Sequence, residues 1–185
     1  MRLFVAIELP ESWRERARET GRALDAAAPG ALRLVHPDQM HLTVRFLGEV
    51  DEAHAETLVS ALATHVGSFD FALELGPAGT FGSPARTSVV WHGVGGDIED
   101  LRATAGRVER AVLDVGLPDE KRELRPHLTV ARVRRESPPE QRRALAAAVH
   151  ALPAPDPDPF GARSLILVRS YLGGPRPRYE VLARF

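Results

Sequence analysis

Apolar and polar positions alternate with a period of two over residues 2–8, where Leu3, Val5 and Ile7 oppose Arg2, Phe4 and Ala6, so the chain opens as a strand. The period then lengthens to that of a helix. Trp13, Ala17, Thr20, Leu24 and Ala27 share one face of a helix that opens near Pro10 and stops at Pro29-Gly30. A second strand carries His41 to Leu47 and closes at Gly48. Residues 52–66 form a second helix, with Ala55, Leu58, Leu62 and Val66 on its inner face and Gly67 as its stop. Phe69 to Leu75 alternates again, and Gly76-Pro77 begins a loop.

The same order then returns. Thr87–Val94 reads as a strand, and Asp97 caps a helix whose stripe is Ile98, Leu101, Ala105, Val108, Val112 and Val115, ended by Gly116. His127–Val133 is a strand. Ser137-Pro138-Pro139-Glu140 has the form of a capping box opening a helix to about His150. A Pro- and Asp-rich loop over 153–159 leads to strands around 164–172 and 178–185, joined by a turn at Gly173-Gly174-Pro175.

The two halves share a register as well as an order. His-Leu-Thr-Val stands at 41–44 and again at 127–130, an offset of 86 residues. The same offset carries the first strand into Thr87–Val94 and Asp51 onto Ser137. A repeated tetrapeptide alone is weak evidence, but with its flanking elements in register it reads as an internal duplication. The expected architecture is α+β, with repeat halves 1–80 and 87–172 and strand 178–185 completing a sheet. Each half forms a lobe of antiparallel-type sheet with helices on its outer side. A pseudo-twofold axis would face the two lobes across a central cleft, all within one domain over 1–185.

Composition narrows the function classes. A chain of 185 residues buries a sizeable core as one domain, and 44% hydrophobic with 26% charged residues is ordinary for a globular protein. The absence of cysteine removes disulfides, thiol nucleophiles and thiolate metal sites together. No apolar run approaches the roughly 20 residues of a membrane span, and Leu3–Ile7 is too short for a signal-peptide core. A cytoplasmic monomer is the expectation. A net charge of −1 argues against a general nucleic-acid coat. Lys121 is the only lysine, and although arginine's planar fork suits phosphate, genomic codon bias explains most of that preference.

Strand parity gives the repeated motif its chemistry. Residues two apart share a face, so His41 lies beside Thr43 and His127 beside Thr129, with Leu42, Val44, Leu128 and Val130 behind them. Two imidazoles and two hydroxyls around one anionic group suit in-line displacement at a phosphodiester. Histidine acts as base or acid near neutral pH, and hydroxyls donate to the non-bridging oxygens. Arg45 and Arg132 are candidates for charge-assisted contacts, and Phe4 for stacking on a base. His54, His65 and His150 read as surface residues, whereas His36 and His92 are placed where a cleft wall or a structural role would use them. No His-Glu-x-x-His or His-x-His pattern is present, and neither a metal nor another cofactor is expected.

These residues resemble the two-histidine (2H) phosphoesterase superfamily, and within it the RNA 2',3'-cyclic phosphodiesterases once called 2'-5' RNA ligases. HLTVRFLGE at 41–49, RPHLTVAR at 125–132, the opening RLFVAIELP, Ser170 and the ending YEVLARF carry the similarity over essentially the whole chain. The resemblance implies a two-lobed fold, no metal, and hydrolysis of a 2',3'-cyclic phosphate at an RNA end to leave a 2'-phosphate. It implies His41 as proton donor, His127 as acceptor, and Thr43, Thr129 and Arg132 on the phosphate. Ideal alternation puts Arg132 opposite His127, so that role requires a bulge or the strand end. Arg45 has the right parity but is not fixed in the family. Alternatives are ligation by the reverse reaction, a small cyclic-nucleotide phosphodiesterase, and a non-catalytic module that binds RNA ends.

Overall fold

The computed structural model describes residues 1–174 and 176–185. Among these residues the strands are β1 (Arg2–Glu8), β2 (Leu32–Leu34), β3 (His41–Glu49), β4 (Phe71–Phe81), β5 (Val89–Gly96), β6 (His127–Val133), β7 (Phe160–Ala162), β8 (Ile166–Tyr171) and β9 (Arg178–Arg184). The helices are α1 (Glu11–Ala27), α2 (Glu52–Val66), α3 (Ile98–Asp114) and α4 (Pro139–His150). The fold is α+β, as the sequence pattern predicts. All strands join one sheet in the order β7-β4-β5-β6-β3-β1-β8-β9, with β2 paired to β6 and every pairing antiparallel.

The main core lies between the helices and one face of this sheet. Leu3, Val5 and Ile7 of β1, Leu42 of β3 and Leu128 and Val130 of β6 are buried there with Trp13 and Leu24 of α1, Leu58 and Leu62 of α2, Leu101 and Val108 of α3 and Leu145 of α4. Alternation sends the intervening side chains to the other face, where Phe4, Ala6, Ile166 and Val168 form a small separate cluster under Tyr179. The sheet is thus buried on its helical face and hollowed into a cleft on the opposite one.

The halves do not form lobes of their own, which corrects the expectation that each would. β3 and β6 meet at the centre through Leu42 and Leu128. With β1 on its other side, β3 has no edge left for the strand that follows α2. That strand, β4, pairs with β5 of the second half, while β8 of the second half pairs with β1 of the first. Helix packing crosses the same boundary, since α1 lies on β6 and α4, and α3 on α2 and β3.

Several local expectations are also revised. β4 runs through Gly76-Pro77 to Phe81, because these two residues fit as a bulge between Leu75 and Ala78 instead of ending the strand. Asp97 does not cap α3 with its side chain; Oδ2 accepts the Ala72 N–H at 2.8 Å and pins the edge of β4. Ser137 makes no capping box, since Pro138 is the N-cap and Ser137 Oγ reaches the Ala31 carbonyl at 3.4 Å. The expected turn at Gly173-Gly174-Pro175 includes Pro175, which lies outside the described residues.

Candidate active site

Matched bulges in the two central strands decide which side chains face the cleft. Along β3, Thr43 pairs with Ala6 but Arg45 pairs with Val5, so Val44 is an extra residue and alternation slips by one. Along β6, Thr129 pairs with Trp91 and Ala131 with Val90, leaving Val130 as the extra residue. Val44 and Val130 are again 86 residues apart. Before each bulge His and Thr face the cleft; after it, position 45 or 131 turns inward and position 46 or 132 turns out. Arg132 therefore joins His127 and Thr129 in the cleft wall, by the bulge its placement required.

Arg45 is a correction for the same reason. The slip buries it to 9% exposure and sends it to the helical side, where Nε donates to Glu109 Oε2 at 2.6 Å and the guanidinium also reaches the carbonyls of Phe46 and Pro118. Phe46 takes the cleft position instead. Phe4 lines the cleft, but one face of its ring is already covered. It is 3% exposed, and the His41 ring stacks on it at 4.5 Å between centroids and 24° between planes.

The two histidines are held alike. His41 Nδ1 donates to the Gln39 carbonyl at 2.8 Å, and His127 Nδ1 donates to the Arg125 carbonyl at 2.6 Å, each two residues back along its own chain. A carbonyl accepts only from N–H, so this contact fixes the proton on Nδ1 and leaves Nε2 of the neutral ring as a lone pair. Aromatic rings fix the planes: Phe4 and Tyr179 enclose His41, while Phe81 meets His127 edge-on at 4.9 Å with Trp91 beyond. Burial, opposed by the Gln39 hydrogen bond and assisted by the nearby charge of His127, pushes His41 down to about 4. In the open cleft His41 is thus neutral at pH 7, the form that accepts a proton.

The cleft holds about 820 Å³ and is walled by His41, Thr43, His127, Thr129 and Arg132, together with residues to which strand parity gave no role. These include Gln39, Ser170, Tyr179 and the arginines 2, 18, 22, 33 and 176. Arg2 was legible, since it shares strand parity with Phe4; Arg33 was not, because three-residue β2 is too short to show a period. His36 lines the cleft, whereas His92 faces the core, bonded to Thr20 Oγ1 at 2.9 Å and the Gly76 carbonyl at 3.0 Å. No group of three or more His, Cys, Asp or Glu is gathered as a metal-binding set among the described residues. Nor, among them, is any helix long and apolar enough to cross a membrane.

Comparison with known proteins shows the family. Residues 7–91 match the LigT like Phosphoesterase family. An RNA 2',3'-cyclic phosphodiesterase of Methanocaldococcus jannaschii is 30% identical over 182 residues, 98% of either chain, and one of Archaeoglobus fulgidus is 33% identical over 75% of this chain and 76% of its own. The chain belongs to the LigT-like phosphoesterases. A further relative so named, from Aeropyrum pernix, is 39% identical over 103 residues, 56% of this chain and 58% of its own. Among solved structures, a Thermus thermophilus protein superposes with a TM-score of 0.81 at 25% identity, covering 100% of this chain and 97% of the other. Escherichia coli LigT complexed with 3'-AMP gives a TM-score of 0.76 at 29% identity, covering 100% and 96%.

Proposed function

We propose that this cleft hydrolyses the 2',3'-cyclic phosphate at an RNA end to a 2'-phosphate, with His41 and His127 as the acid–base pair. The observation that carries the reading is the twofold arrangement of imidazoles, each with Nδ1 engaged by a backbone carbonyl and Nε2 left for the substrate. One Nε2 takes a proton from the attacking water as its oxygen bonds to phosphorus. The other gives a proton to the departing 3' oxygen as the P–O3' bond breaks, leaving the 3'-hydroxyl and the 2'-phosphate. Thr43 and Thr129 donate to the non-bridging oxygens, and Arg132 offsets the growing charge.

By family analogy His41 is the donor. That role depends on the substrate, because His41 is neutral in the open cleft. A phosphate anion beside it favours the imidazolium and raises its pKa, so the proton to be donated is acquired as the charge arrives. The relatives support the substrate class by name, and E. coli LigT has been crystallised with 3'-AMP, with ATP and with phosphate.

The test is turnover of a 2',3'-cyclic-phosphate RNA in EDTA, with the position of the product phosphate determined. Retained activity giving a 2'-phosphate is expected, and His41→Ala and His127→Ala should each lower turnover by about 100-fold or more without loss of fold. Near-normal turnover in either variant, or activity abolished by EDTA and restored by zinc, overturns the reading.

A further inference from the structure

The charge lining this cleft exceeds what one cyclic phosphate needs. Arginines 2, 18, 22, 33, 132 and 176 all reach its wall, and no carboxylate does so among the described residues. That segregation occurs in a chain with 25 acidic residues and a net charge of −1. Three of the arginines come from α1 and β2, not from the strands that carry the histidines. Arg18 and Arg22 are four apart on α1 and so share a face, one turn from each other. Arg33 lies on β2, which is packed against α1 where Leu34 closes on Gly21; a Cβ at Gly21 would meet Leu34 Cδ2 at 3.1 Å. Arg33 is also the cross-strand partner of Arg132.

Like charges directly opposite each other on neighbouring strands repel. Arg18 has an internal partner in Glu15, but Arg22, Arg33 and Arg132 form no ion pair among the described residues. The fold therefore pairs Arg33 with Arg132 and sets Arg22 on the helix packed against β2, in a cleft lined by no carboxylate among the described residues. A single cyclic phosphate seated between the histidines bears one negative charge, which Arg132 meets.

We infer that Arg22 and Arg33 form a second phosphate subsite, which takes the phosphodiester preceding the terminal cyclic phosphate of an RNA strand. This rests on the phosphodiesterase reading and adds to it a preference for RNA chains over cyclic mononucleotides. Arg132 then stands between the two phosphates and links the chemical step to the grip on the strand. Both Arg22 and Arg33 are exposed, so their replacement leaves the core intact.

The experiment compares kcat/KM for a 2',3'-cyclic mononucleotide and for a short RNA with the same cyclic end, in the wild type and in Arg22→Gln, Arg33→Gln and the double variant. Wild type is expected to favour the RNA, and each substitution to lower kcat/KM on RNA by about tenfold while leaving the mononucleotide unchanged. The dependence of log kcat/KM on log salt should also flatten by about 0.7 for each phosphate that is no longer neutralised. Equal wild-type efficiency on both substrates, or equal losses on both in the variants, overturns the subsite while the phosphodiesterase reading stands. Absence of turnover on either substrate by the wild type overturns that reading itself. Weakened inhibition by ATP with unchanged RNA kinetics would assign the arginines to free nucleotide polyphosphates and overturn the RNA assignment.

Discussion

Arg45 and Arg132 each follow a His-Leu-Thr-Val motif closely, and only the residue-by-residue pairing separates their roles. Arg45 holds Glu109 of α3 and the loop carbonyl of Pro118 from a buried position, so Arg45→Ala should lower stability by about 3 kcal/mol in denaturant unfolding. Arg132→Ala, at an exposed position, should move stability by less than about 0.5 kcal/mol while lowering turnover. His41 gives a pH prediction of definite sign. As pH falls below about 6.5 the unfolded chain's histidine takes up a proton that native His41 refuses until about 4. Its share of stability is therefore complete above that window and lost across it, which unfolding measured from pH 7 to pH 4 should show as a loss that His41→Ala lacks. Titrating inorganic phosphate should move the His41 imidazole resonance in NMR to a higher pKa; an unmoved titration would contradict its placement against the anion.

At the level of strands and helices, the sequence pattern located most of the elements but could not aim all of their side chains. Long periodic segments such as α2 and β6 appear at the residues expected, because their buried faces repeat often enough to be read. The bulge at Val44 was not legible, and the one at Val130 was called for only by the role that the resemblance gave Arg132. An extra residue within an apolar run keeps the composition of a strand and changes only its parity, and pairing partners are needed to see it. Arg45 was misplaced for that reason, and Phe46 overlooked. β2 and the α1 arginines were missed because a cleft wall assembled from a three-residue strand and a helix flank leaves no period of its own. Strand β4 offers an element-scale test. A Cβ at Gly79 would lie 2.3 Å from Trp91 Cη2, and that ring in turn borders His127. Gly79→Ala should cost about 1–3 kcal/mol in stability and reduce turnover, whereas Gly95→Ala, with open space around it, should do neither. Thermal melts with parallel assays decide between them.

Across the whole molecule, the exchange of β4 and β8 between halves ties the two ends of the chain into one cooperative unit. A fragment spanning residues 1–86 would contain β4 without β5, and β1 without β8. It should therefore lack stable structure by circular dichroism, and mixing it with 87–185 should restore both the spectrum and turnover. Unfolding of the intact chain should follow a single transition whether read from Trp13 and Trp91 fluorescence or from backbone signal. Two separated transitions would show that the halves hold together without each other.

The same exchange bears on how the protein is made. β1 leaves the ribosome about 160 residues ahead of β8, yet one of its two edges is satisfied only by that strand. Contacts of such long sequence separation are slow to close, and a growing chain cannot complete the pairing of β1 until β8 has been synthesised. Throughout that interval Leu3–Ile7, an apolar run suited to strand pairing, stays open on one side to any passing strand. Synthesis and assembly thus run out of step, and the nascent protein's need for chaperone shelter should end at the emergence of β8 and not at any earlier domain boundary.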